Sequence, residues 1–154
     1  STTTTTAPPA LQLSETGLGP LTLGMSTDAA TASGLIGALG PGCELAGPGQ
    51  QAAPLQGGVD GSVTFDGGSL TAISVRGGGT NTPAGIHVGS SLAEVQAAYG
   101  SNGYVTTVDN STVGTFGVAV VSVMHNGAEA FGMTLDPATN MITEMAAPNI
   151  QFCD

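Results

Sequence analysis

A chain of 154 residues with eleven acidic side chains against one basic residue, Arg76, carries a net charge of −10. That balance argues against nucleic-acid binding, which rests on Lys and Arg neutralising phosphates, and against adhesion to an anionic membrane surface. Forty per cent of the residues are hydrophobic but only 4% are aromatic, and Trp is absent, so the core must be built mostly from Val, Ile, Leu, Met and Ala.

The length is that of about one domain, and no apolar run approaches the roughly 18 residues a transmembrane helix needs. The 25 glycines follow no triplet period, which excludes collagen and indicates Gly-punctuated loops. Residues 1–12 open with STTTTTAPPA, a Thr/Pro-rich composition that cannot bury enough apolar surface to offset ordering entropy. A disordered tether is expected there, with a single globular domain over 13–154.

In chain order, Leu11-Gln12-Leu13 suggests a strand start, broken by Gly19-Pro20, and Leu21-Thr22-Leu23 is a short alternating run. Ser26 is placed to cap a short helix over Ala29 to Leu35, with Asp28 in its first turn. A loop around Pro41, Cys43 and Pro48 follows. Val59 to Asp66 and Ser69 to Arg76 read as strands joined by Asp66-Gly67-Gly68. On one face Val63 and Phe65 should meet Ile73 and Val75. Residues 77–85, GGGTNTPAG, read as a linker.

Beyond it the opening phrase returns: LTLGMSTDAATASGL at 21–35 is echoed by IHVGSSLAEVQAAYG at 86–100. In the second copy Ser91 and Glu94 form a capping box. Leu92, Val95 and Tyr99 make one helical stripe, and Gly100 is a natural stop. Tyr104 to Val108, Val118 to His125, Ala130 to Leu135 and Met141 to Met145 read as strands, with Asn126-Gly127 a strong hairpin signal. The expected fold is therefore α+β: two repeated helix-plus-antiparallel-sheet units, about 18–76 and 83–147, with short helices packed on one face of a meander and a tail over 148–154.

Chemistry-bearing residues are few. Cys43 and Cys153 share no metal-ligand spacing; in a secreted chain they suggest one disulfide, the alternative being two buried thiols. His87 and His125 are the two histidines, and no G-x-S-x-G elbow accompanies them. Asp60, Asp66, Asp109 and Asp136 stand in turn-rich loops without an EF-hand pattern. No metal or other cofactor is expected. Arg76, the sole cation, should pair with a neighbouring carboxylate such as Asp60 or Asp66, or else anchor an anionic ligand.

Residues Ile86, Val88, Gly89, Ser91, Val95 and Gly100, with Leu21, Leu23, Gly24, Met25, Ser26 and Ala29 in the first copy, resemble the signature of the BamE/SmpA outer-membrane lipoproteins and the β-lactamase inhibitor protein superfamily. Ser90 stands where that pattern carries Met. The resemblance implies the tandem helix-plus-sheet architecture and a secreted or lipid-anchored protein of the kind found in actinobacteria. With the missing catalytic set, it leads to the expectation of a monomeric, non-catalytic binding module, secreted or anchored to the outer face of the cell membrane. Its partner would be another protein, suited by charge to a basic surface, with no nucleic acid and no membrane insertion of this segment. Arg76, His125 and Tyr104 are the candidate binding residues. An inhibitor or regulator of a secreted enzyme is the alternative, and a small hydrolase or ligand carrier using His87 or His125 is the third reading.

Overall fold

The computed structural model describes residues 11–42, 49–77 and 79–150. Short turns dominate the beginning. Leu13–Ser14 (β1), Gly17–Leu18 (β2) and Leu21–Thr22 (β3) form a three-stranded antiparallel sheet in the order β1-β2-β3. Leu13, Leu18 and Leu21 point from it into the core and are fully buried. Gly17 is obligatory, because a Cβ there would lie 1.9 Å from the Leu21 carbonyl oxygen.

A second sheet forms the body of the molecule. Its strands are Gly40–Pro41 (β4), Gln50–Pro54 (β5), Gly61–Asp66 (β6), Ser69–Val75 (β7), Tyr104–Asp109 (β8), Ala119–His125 (β9), Ala128–Asp136 (β10) and Met141–Ala147 (β11). They make one eight-stranded sheet in the order β4-β5-β6-β7-β11-β10-β9-β8, with every neighbouring pair antiparallel. The tight hairpins fall at the expected turns: Gly67 and Gly68 have φ of 60° and 84°, Asn126 and Gly127 have 51° and 85°. Such left-handed pairs match the twist of the flanking strands. Val63 sits opposite Ile73 as expected, but a register shift after Thr64 sets Phe65 opposite Leu70.

The helices are Thr27–Ala32 (α1), Leu92–Ala98 (α2) and Val113–Phe116 (α3). Ser26 caps α1, and Ser91 with Glu94 forms the capping box of α2. Through Ala30 and Val95 the first two join a core with Phe65, Ile73, Val75, Met133 and Met145.

This architecture corrects the expectation of α+β helix-plus-sheet repeats. The protein is mostly antiparallel β, built on a three-stranded and an eight-stranded sheet, and its helices span six, seven and four residues. The physical reason lies at the middle of the large sheet. There β7 and β11 pair, with Val75 opposite Met145 and Ile73 opposite Ala147, so strands from both parts of the chain share one hydrogen-bonded ladder.

What the two echoed phrases share is a local docking device. Gly24 N–H donates to the Leu70 carbonyl and Gly89 N–H to the Ile142 carbonyl, at 2.7 and 2.8 Å. Ser26 and Ser91 bridge the starts of β7 and β11. Smaller departures are that Ile86 to Val88 is not a strand, that α1 ends at Ala32, and that β4 and β5 occupy the stretch read as loop. Most of the tether, and the expected Cys43–Cys153 disulfide, lie outside the described residues.

Candidate functional site

The core lies on one face of the eight-stranded sheet; on the other, Asn149 and Ile150 come over the sheet beside Gly132. Alternation along the strands sends Val63, Ile73 and Val75 inward, and Ser62, Thr64, Ala72 and Ser74 outward. Across the strands Ala52 faces Thr64, Ser62 faces Ser74, and Ser74 faces Ala146. These small side chains leave a trough of about 400 Å³, which Arg76, Thr134 and Glu144 also line. The Ser74 hydroxyl is buried there without a hydrogen-bond partner. Towards β8 the same face turns apolar: Val105, 57% exposed, is paired with Met124.

Arg76 lies in this trough, and its partner corrects the expectation. Its Nε donates to Glu144 Oε1 at 3.1 Å and one terminal nitrogen reaches Ser62 Oγ at 3.4 Å. The β7–β11 ladder brings Glu144 alongside, whereas Asp60 meets Arg76 through the backbone, its carbonyl accepting from the Arg76 N–H. Both side chains of the pair are partly exposed, so it stabilises the fold by about 1 kcal/mol or less.

Tyr104 and His125 come together elsewhere. They are cross-strand partners on β8 and β9, and their rings stack with centroids 4.0 Å apart and planes at 12°. Both reach Glu15 in the turn between β1 and β2: Tyr104 donates its hydroxyl proton to Oε2 at 2.6 Å, and His125 Nδ1 lies 2.7 Å from Oε1. That bond and the carboxylate's charge push the Tyr104 hydroxyl up to about 12. Beside the clasp is a smaller notch of about 140 Å³, lined by Ser14, Glu15, Tyr99, Tyr104 and Phe131 with Pro83, Ala84 and Ala98. Tyr99, at the end of α2, is buried and donates to Thr82 Oγ1 at 2.7 Å. Burial holds its own hydroxyl above the usual tyrosine range.

Of the three sequence candidates, then, two converge and Arg76 stands on the opposite face of the sheet. Glu15, which joins Tyr104 to His125, carried no signal of its own beside the tether. His87 turns its Nδ1 to the carbonyl of Val88, 2.8 Å away, and neither imidazole of the described residues is hydrogen-bonded to a hydroxyl. Asp109 and Asp136 each accept an N–H two residues on, closing their own turns. Among the described residues no three of His, Cys, Asp and Glu converge on a point that could hold a metal ion, and no helix is long and apolar enough to cross a membrane.

The class defined by these features is an antiparallel β protein with one sheet face built into the core and, among the described residues, a trough of small side chains on the other. No family model matches the chain, and no curated protein matches it in sequence. Among solved structures it is similar to the uncharacterized protein yfeY from Escherichia coli, with a TM-score of 0.56 and 15% identity over 89% of this chain and 99% of that one. At that identity the likeness concerns the fold alone.

Proposed function

We propose that the chain is a non-catalytic, extracytoplasmic module of the cell envelope that holds another protein against the open face of its eight-stranded sheet. The observation that carries this reading is the character of that face. Ala52, Ser62, Thr64, Ala72, Ser74 and Ala146 give the trough a floor of small side chains between the longer Gln50, Arg76 and Glu144, so a partner can approach the sheet closely there, and Val105 and Met124 supply apolar contact at one end. With a net charge of −10 and the lone cation already engaged by Glu144, the favoured partner presents a basic surface. The spacer-like composition of residues 1–12 and the likeness of the two Gly-Ser phrases to the BamE-like lipoproteins support the envelope placement. The engagement of His125 by Glu15 rather than by a nucleophile supports a binding role over catalysis.

The test is chemical crosslinking of the tagged domain in envelope and secreted fractions, followed by mass spectrometry, with Thr64→Arg and Val105→Glu alongside. One stoichiometric partner, released by high salt and lost in both variants, is the expected result. Capture that both variants leave intact, or no partner at all, overturns the proposal.

A further inference from the structure

On the core side of the sheet, away from the trough, the notch beside the Glu15 clasp has a composition of its own. Its walls are the rings of Tyr99, Tyr104 and Phe131 and the small apolar groups of Pro83, Ala84 and Ala98; its one ionisable carboxylate is that of Glu15. The rings are held firmly. Tyr99 meets Tyr104 edge-on at 5.0 Å and Phe131 at 5.5 Å, Tyr104 is backed by the His125 imidazole, and Tyr99 is anchored by Thr82.

Glu15 uses one oxygen for Tyr104 and the other for His125. A carboxylate has about four acceptor positions, so each oxygen retains one. A volume of about 140 Å³, at roughly 30 Å³ for a water-sized group, holds on the order of five such groups. That is a short unbranched chain ending in one polar atom.

We propose that this notch binds an alkylammonium group: a chain of about four methylenes lying against Tyr99, Phe131 and Pro83, with its –NH₃⁺ directed to Glu15 and the Tyr104 ring. The charge of the ligand follows from the site. An anion would face the Glu15 carboxylate within a chain of net charge −10. A neutral alcohol would offer the carboxylate a hydrogen bond but no charge. A cation gains from the carboxylate and from the electron-rich aromatic faces together. Both a protein's lysine side chain and a free alkylamine present this chemistry.

The experiment is a titration followed by NMR on the full chain, reading the ring signals of Tyr99, Tyr104 and Phe131 and the amides of Ala84 and Ala98. The probes are n-butylammonium, n-butanol as its uncharged counterpart, and Nα-acetyl-lysine methylamide. Saturable shifts confined to these residues are expected with n-butylammonium, at least tenfold weaker with n-butanol. Glu15→Gln should weaken binding at least tenfold.

Because Glu15→Gln also loosens the clasp, Ala84→Leu provides the second variant. Ala84 is an exposed lining residue, and the larger side chain fills the notch without touching Glu15, so binding should again be lost. If the lysine derivative binds at least as tightly as n-butylammonium, the ligand is a lysine side chain; if it fails where n-butylammonium binds, the ligand is a free amine. Equal binding of n-butanol, shifts scattered over the acidic surface, or full binding by Ala84→Leu overturns the proposal. The open face is untouched by either variant, so this outcome is separate from that of the partner capture.

Discussion

Alkaline titration addresses the clasp directly. In the folded protein the Tyr104 proton is held against Glu15 Oε2, and ionising the phenol would set two negative charges side by side. Its hydroxyl is accordingly displaced from the ordinary 10.0 to about 12. A group whose folded value is raised gives stability that is fully present below the unfolded value and is lost as pH rises through the folded one. The window is therefore about pH 10 to 12. Taken at face value the displacement corresponds to ~2.7 kcal/mol. Glu15 is a third exposed and Tyr104 is only part-buried, so solvent screening reduces this to about 1 kcal/mol.

The assay is urea denaturation followed by circular dichroism across this window, comparing the natural chain with Tyr104→Phe. The variant should lose about 1 kcal/mol at neutral pH, where the charge-assisted hydrogen bond is missing, and the two curves should converge as pH rises to 12. Repulsion among the carboxylates and ionisation of Tyr99 affect both proteins and cancel in the difference. With two tyrosines in the chain, tyrosinate absorbance of a Tyr99→Phe variant reports Tyr104 alone. Ionisation of Tyr104 at its ordinary value, or a stability gap that stays constant with pH, would refute the reasoning.

Other substitutions probe the frame. Ser91→Ala removes the capping box of α2 and should cost about 1 kcal/mol, read as a melting shift of roughly 2–4 °C for a domain of this size. A Cβ at Gly24 meets no atom within 4 Å and one at Gly89 only the His87 ring at ordinary contact distance, 3.9 Å, but Gly24→Ala and Gly89→Ala force φ of 94° and 100° on an L-residue; each should lose about 1–2 kcal/mol from backbone strain, measured by urea midpoint. Gly61→Ala sets a Cβ 2.0 Å from the Ser74 carbonyl oxygen in the heart of the sheet, and should cost more than either, about 3 kcal/mol or above. Arg76→Gln breaks a half-exposed ion pair and should change the melting temperature little, by less than about 1 kcal/mol equivalent.

Local chemistry was legible in the sequence and long-range pairing was not. Asn126-Gly127 and Gly67-Gly68 announce their hairpins because few other residues adopt two consecutive positive φ values at low cost, and Ser91 with Glu94 announces a helix start by satisfying its own amides. Strand β5 was hidden because Gln50-Gln51-Ala52-Ala53 offers no large apolar residue; it is recruited by pairing Ala53 with Val63. The pairing of β7 with β11 joins residues some 70 positions apart in sequence, Val75 with Met145, and periodicity within either strand says nothing of it. The same blindness explains the site. Arg76 was assigned to the acids nearest in sequence, yet its partner is 68 residues away, and Glu15 is 89 and 110 residues from Tyr104 and His125.

The small residues of the open face also need a cause. Ala is disfavoured in strands, yet this face carries Ala52, half-buried, with Ala72 and Ala146, both buried. One structural demand accounts for part of the pattern: Gly132 lies beneath Asn149 and Ile150, where a Cβ would stand 2.5 Å from the Ile150 nitrogen. The small residues extend further across the sheet than Gly132. Four strand positions separate β10 from β5, roughly 19 Å at about 4.8 Å each, and Ala52 lies at the far end of that span. Ala72, on the strand two positions from β10, is likewise small. A floor of small residues over such a width, on a chain that has no Lys and pairs its one Arg with Glu144, fits the close contact proposed for the partner.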